Sequence, residues 1–343
     1  MSGVKNVAVG EDEPDQRLDR WFRRHWPGLS QGRIEKMCRK GEIRVDGARA
    51  KASSRIGPGQ IVRVPPIGAA TAKQQSSQTD RLDDADIRSI RDTVIYRDDQ
   101  IIVLNKPPGL AVQGGSRQKQ HLGILLPALR FDRNDDPKLV HRLDKDTSGL
   151  LVLARSGAAA NNLSKQFRSR GVEKIYLAAV AGRPDPDAGT IRYGLVKAGG
   201  KGDERMRIVH PDEIATTEGA QWATTDFRVI EQAASRLAAV VLRPVTGRTH
   251  QLRAHMAAIG CPIAGDGKYG SRSQENAGDG WGAGLGGGLS RKLHLHAARL
   301  SFSHPETGQK MTMNADLPEH MARTWSMMGW QFGELPCDPF DPD

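Results

Sequence analysis

The sequence predicts an α+β protein, a small N-terminal α/β module followed by a mixed, mainly antiparallel β-sheet domain with flanking helices. Three observations carry this expectation. Two amphipathic helical stretches followed by short alternating runs fill residues 16–64. A segment rich in Pro, Gln, Ser and Thr, residues 65–92, has no apolar period and reads as a linker. Beyond it, strand-like runs outnumber helical ones, the pattern of a sheet with helices laid against it. A length of 343 residues, with 38% hydrophobic and 26% charged, suits two or three globular domains, each able to bury a core.

In the first module, Leu18, Trp21, Phe22 and Trp26 form one stripe of a helix that Pro27-Gly28 stops. Ser30 is expected to cap a second helix that turns Ile34, Met37 and Cys38 inward and stops at Gly41. EIRVDG and QIVRV then read as two short strands, with turns at Asp46-Gly47 and Gly57-Pro58-Gly59. The second domain is expected over 93–330, with strands at TVIY, QIIVL, LLVLA, KIYLAAVAG, ATTDFRVIE, RLAAVVLRPV and ARLSFSHP. Helices are expected over 157–170 and over 250–259, the latter capped by Thr249. A Gly-rich stretch, 277–290, reads as an insertion, and 331–343 as a flexible tail.

The net charge of +10 is not spread evenly. Residues 16–64 hold thirteen Lys or Arg against four acids, a net +9, which leaves about +1 for the rest. Such density in a compact segment points to a polyanion, and to nucleic acid in preference to a merely solvated helix face. Arg33, Lys36 and Lys40 lie at helical spacing, Arg39 extends them, and Arg44 follows on the next strand.

Several classes are disfavoured. The longest apolar runs, such as 237–242, fall far short of the roughly 20 residues that a membrane helix needs. No secretory signal is visible, and Cys38, Cys261 and Cys337 are scattered and odd in number, so a cytoplasmic location is expected. The spacing of His250 and His255 does not match that of HExxH zinc ligands; His255 reads as a partly buried, hydrogen-bonded side chain and His294 and His296 as structural. No metal site is expected, and the Gly-rich stretch is not a P-loop.

The chemistry concentrates in LVHRLDKDTSGLLVLA, residues 139–154, a polar loop anchored by apolar runs. Asp144 on its own would be read as a turn former, and Ser148 lacks the G-x-S-x-G context of a hydrolase nucleophile. The string as a whole resembles the HRLDxxTSGL signature of the large-subunit-type pseudouridine synthases, the RluA family. NKPPGL (105–110), EKIYLA (173–178), GRTHQLRAH (247–255), GDGKYG (265–270) and LHAARLSFSHPETG (295–308) are similar to that family in the same order. The run AVQGGS (111–116) is closest to the RluC-like branch. Residues 16–64 resemble the alpha-L RNA-binding module of ribosomal small-subunit protein four. Gln113 and Leu252 depart from the usual His and Ile of the family.

The resemblance implies the pseudouridine synthase fold and isomerisation of specific uridines in large-subunit ribosomal RNA, naked or within a pre-ribosomal particle. It implies no cofactor and no membrane, and a monomer is expected. It makes Asp144 the catalytic carboxylate, by attack on the sugar or by removal of a ribose proton to give a glycal. Tyr176 would stack on the uracil and relay the C5 proton. Arg248 would be the cation near Asp144, holding it ionised. Arg142 would fill the gap left by a flipped base or bind phosphate, with an ion pair to Asp146 as its plainer reading. Lys106 would support the site or bind phosphate. A non-catalytic RNA-binding or ribosome-assembly factor and a histidine-based metal hydrolase are the competing classes.

Overall fold

The computed structural model describes residues 3–340 except 12, 14, 27, 68–81, 115–119, 170, 199–204, 234–235, 271–288 and 332–337. Two compact units comprise Met1–Leu82 and Asp83–Asp343.

The first unit places β1 (Lys5–Ala8), β2 (Gln16–Arg17), α1 (Leu18–His25), α2 (Gln31–Lys40), β3 (Arg44–Val45), β4 (Ala48–Arg49), β5 (Arg55–Ile56) and β6 (Ile61–Val64) in that order. The module starts before residue 16, because β1 closes a sheet of order β1-β6-β3-β4. Leu18, Trp21, Phe22, Ile34, Ile43 and Val62 are fully buried, and Trp26 packs against them half-buried. Ser30 occupies the cap position of α2 but its side chain makes no capping bond; Gly41 ends the helix at φ 72° as expected. Glu13, 6% exposed, accepts from Trp21 Nε1 at 2.9 Å and Gly10 N at 3.0 Å. Burial pushes its carboxyl up, but these bonds and His25 outweigh it and hold the group below the usual range.

In the second unit, the expected linker ends early. Asp83 Oδ1 accepts from Asp86 N at 2.7 Å and caps α3 (Asp84–Arg91), which buries Ile90. Then come β7 (Val94–Arg97), β8 (Ile101–Lys106), α4 (Leu122–Leu125), β9 (Lys138–Leu139), β10 (Ser148–Ala154), α5 (Gly157–Arg168), β11 (Glu173–Ala181), β12 (Ala188–Ala198), β13 (Arg205–Val209), β14 (Gln221–Ala233), β15 (Leu237–Pro244), α6 (Gln251–Ala258), β16 (Leu295–Ser303), β17 (Lys310–Asn314) and α7 (Glu319–Met328). They form an 11-stranded sheet of order β13-β12-β14-β15-β11-β16-β10-β8-β7, with β17 on β16 and β9 on β10. Among the described pairings only β10 with β16 is parallel, so the mainly antiparallel expectation holds. Every strand-like run named from the sequence forms a strand.

The alternation of β11 and β15 divides the core. Ala178, Val180, Val240 and Leu242 face Leu252 and Met256 of α6. Ala179, Leu237 and Ala239 face Met321 and Trp325 of α7, on the opposite side. Of the tail, Phe340 is described, with the Arg243 guanidinium 4.4 Å from its ring centroid, and just ahead of the tail Trp330 is buried. Residues 277–288 of the Gly-rich stretch lie outside the described residues.

Candidate active site

The polar loop is set by the strand it enters. All seven residues of β10 are buried, and its first two meet β16 in parallel register, Ser148 to His296 and Gly149 to Ala297. Gly149 has φ 107°, and a Cβ there would lie 2.3 Å from the Ala297 carbonyl oxygen, so this join admits only glycine. Ser148 Oγ lies 2.9 Å from His296 Nδ1, but both are buried and His296 Nε2 points to the Ala315 carbonyl at 3.1 Å. The pair is a structural tie, and not a nucleophile with its base.

Ahead of β10 the chain alternates. His141 stacks on Phe167, with centroids 4.1 Å apart, and its Nε2 accepts from Val152 N at 2.8 Å. Burial pushes its imidazole down to about 3, so it is neutral. Leu143 is buried, whereas Arg142 is exposed and the Asp144 side chain is 20% exposed. The two anchors thus turn Arg142 and Asp144 outward.

Of the two sequence readings of Lys106, the geometry agrees with support of the site and not with phosphate. Lys106 is fully buried, and its Nζ donates to the carbonyls of Pro107, Leu110 and Lys145 at 2.9, 3.0 and 3.1 Å. It cannot reach a phosphate; it ties the NKPPGL turn to the Asp144 loop, as does Gly109 N on the Lys145 carbonyl at 2.9 Å. Burial pushes its pKa down to about 7, against the pull of Asp146 and Asp144.

Tyr176 sits where β11 shifts register against β16, a bulge between Ile175 and Tyr176 that re-aims its side chain. Burial, and then the Asp144 carboxylate, push its phenol above the ordinary range, so it is protonated at neutral pH.

The GRTHQLR segment is held by Gln251, and Thr249 does not cap α6. Gln251 Oε1 accepts from Thr246 Oγ1 at 2.7 Å and Arg248 N at 3.1 Å, while its Nε2 donates to Thr224 O at 2.8 Å and Thr225 Oγ1 at 2.9 Å. His250 takes the cap position in the left-handed region, φ 51°. Its Nε2 lies 3.8 Å from Asp144 Oδ2 and its Nδ1 3.0 Å from Tyr269 Oη. Arg253 forms a buried bidentate pair with Asp266 at 2.8 and 2.6 Å. His255 is hydrogen-bonded to Thr225 Oγ1 at 2.9 Å, as expected, but is fully buried where the sequence predicts partial burial.

These elements enclose a cleft of about 280 Å³, near the lower end of small-molecule sites. Asp144, Arg142, Tyr176 and Arg248 all line it, joined by His250, Lys174 and Phe167. Arg248 does not pair with Asp144: its Nε lies 3.4 Å from the Trp222 carbonyl, and among the described residues no Lys or Arg nitrogen is within 4.0 Å of the carboxylate. Arg142 and Asp146 form no ion pair either.

A family model described as RNA pseudouridylate synthase matches residues 100–258, which include the Asp144 loop, Tyr176 and α6. The chain is 36% identical over 326 residues to ribosomal large subunit pseudouridine synthase C of Escherichia coli (strain K12), covering 93% of this chain and 95% of that one. It belongs to the RNA pseudouridylate synthase family. The protein of that name from Vibrio vulnificus (strain CMCP6) is 36% identical over 324 residues, with the same coverage. Among solved structures, human RNA pseudouridylate synthase domain containing 4 superposes with a TM-score of 0.59 at 27% identity, over 72% of this chain and 96% of that one.

In this pseudouridylate synthase the first unit carries a second feature. A groove of about 680 Å³ is lined by Arg33, Lys36, Lys40 and Arg63. Arg39 is exposed outside its lining, and Arg44 donates to the carbonyls of Gly41 and Gly47 at 3.4 and 3.0 Å. Among the described residues no group of three or more His, Cys, Asp or Glu could hold a metal ion, and no helix is long and apolar enough to cross a membrane.

Proposed function

We propose that this protein isomerises uridine to pseudouridine in large-subunit ribosomal RNA, with Asp144 as the catalytic carboxylate. The observation that carries this reading is that Asp144 shares one 280 Å³ cleft with Arg142, Tyr176 and Arg248. The names of its relatives support the choice of RNA. The substrate is presented free or within a pre-ribosomal particle to a monomeric enzyme in the cytoplasm.

The target nucleotide flips into the cleft, at a cost of a few kcal/mol for unstacking. The bond from N1 to C1′ breaks, the uracil turns, C5 joins C1′, and the C5 proton passes to water while N1 takes one from water, so atoms balance without a cofactor. Asp144 acts on the sugar, by attack at C1′ or by taking a ribose proton. The protonated phenol of Tyr176 stacks on the uracil and donates; with its pKa raised, it is no base in the resting enzyme. Arg142, exposed beside Asp144, takes the place the base vacates, and Arg248 at the rim meets phosphate. The cations of the first unit, Arg33, Lys36, Arg39 and Lys40, hold the RNA by its backbone.

The test uses large-subunit RNA labelled with tritium at uridine C5, as transcript and as assembling particle, with release to water followed. Stoichiometric release is expected; binding without release from either substrate would favour an assembly factor.

A further inference from the structure

We infer that His250 and Tyr269 form a positioning pair that presents an imidazole Nε2–H to Asp144. This inference rests on the catalytic assignment of Asp144 above. Met206 N donates to Tyr269 Oη at 2.8 Å, which occupies the phenol oxygen as an acceptor. In this pair the one hydrogen of the phenol is assigned to His250 Nδ1, 3.0 Å away, which makes Tyr269 the donor. An imidazole that accepts at Nδ1 carries its proton on Nε2, and Nε2 faces Asp144 Oδ2 at 3.8 Å. A hydrogen bond requires this gap to shorten by roughly half an ångström or more, as happens when substrate closes a site.

The surroundings are built to hold this arrangement. His250 is 5% exposed and sits at φ 51°, in the left-handed region that a non-glycine residue adopts uncommonly. Gln251 pins the turn on one side. On the other, Asp266 Oδ1 accepts from Tyr269 N at 3.1 Å and Arg253 lies 5.3 Å from the Tyr269 ring centroid, so the buried Arg253–Asp266 pair fixes the tyrosine. Burial keeps the imidazole below its ordinary pKa; Asp144 and Asp266 pull it up, and Arg253 and Lys268 push it down. A neutral donor of this kind holds one carboxylate oxygen of Asp144 and leaves the other free for the sugar, without neutralising its charge as a lysine or arginine would.

The test compares wild type, Tyr269→Phe, His250→Gln and the double variant in tritium release, with melting temperature followed for each. Tyr269→Phe frees the Nδ1 position and allows the wrong tautomer, so kcat is expected to fall about 10- to 100-fold with KM within about twofold. Its acid limb moves to higher pH, because the imidazole now protonates more readily. In His250→Gln an amide N–H replaces the donor without needing the phenol, so adding Tyr269→Phe should change kcat less than about twofold. An equal cost of Tyr269→Phe in both backgrounds, or a change confined to KM, would overturn the inference. Independently of turnover, long-range 15N–1H spectra of the full chain should show His250 as the Nε2–H tautomer, and the Nδ1–H form would refute it. Loss of release in wild type itself would instead remove the proposed function.

Discussion

Lys106 Nζ lies 3.1 Å from the carbonyl oxygen of Lys145, next to the residue that begins the return of the Asp144 loop into β10. One buried amine thereby holds the NKPPGL turn and the Asp144 loop together. Lys106→Met fills the space but leaves three carbonyls without their donor. A decrease of about 2–4 kcal/mol in stability to denaturant is expected.

The same residue sets a pH dependence. With a folded pKa of about 7, and an unfolded one near that of free lysine, the unfolded chain holds the extra proton between about pH 7 and 10. Its contribution therefore makes the fold more stable as pH rises through that window. Melting temperatures of wild type should climb relative to Lys106→Met from pH 7 to 9; parallel curves would contradict the burial argument.

Gly149→Ala tests the parallel join. Both the φ of 107° and the 2.3 Å approach to Ala297 oppose a side chain, so a destabilisation of at least about 3 kcal/mol is expected. A variant with the midpoint of wild type would mean that β10 and β16 meet differently.

How much of this is legible in the sequence varies by element. β8, β10, β11 and β15 are buried on both faces and read as apolar runs. β12, β13 and β17 carry charged or exposed residues along the pleat, so no apolar run marks them. α7 does carry a signal in the sequence: Met321 and Trp325 are four apart, and Gly329 ends the helix at φ 68°. Asp144, Tyr176, Arg142 and Arg248 are marked by their motifs, and they do share a cleft. From sequence His250 stands out only as a candidate metal ligand, because its partner Tyr269 is 19 residues away and only the fold brings the two together. The burial of Lys106 is hidden for the same reason: a lysine beside two prolines reads as a surface turn until its three carbonyl partners are placed.

The groove of the first unit predicts salt dependence. Replacing Arg33, Lys36 and Lys40 with Ala should weaken binding of large-subunit RNA and flatten the slope of log K against log salt by about 2–3, at roughly 0.7–0.9 for each phosphate no longer neutralised. Filter binding from low to moderate salt measures it. A slope equal to that of wild type would locate RNA binding elsewhere.

The proposed function turns on the Asp144 carboxylate. Asp144→Asn keeps the size and shape of the side chain and removes its charge. In single-turnover reactions on saturating C5-tritiated RNA, with binding measured on the same samples, the variant should bind as wild type does and release at least about 10²-fold more slowly. Release at the wild-type rate would rule out Asp144 as the catalytic carboxylate.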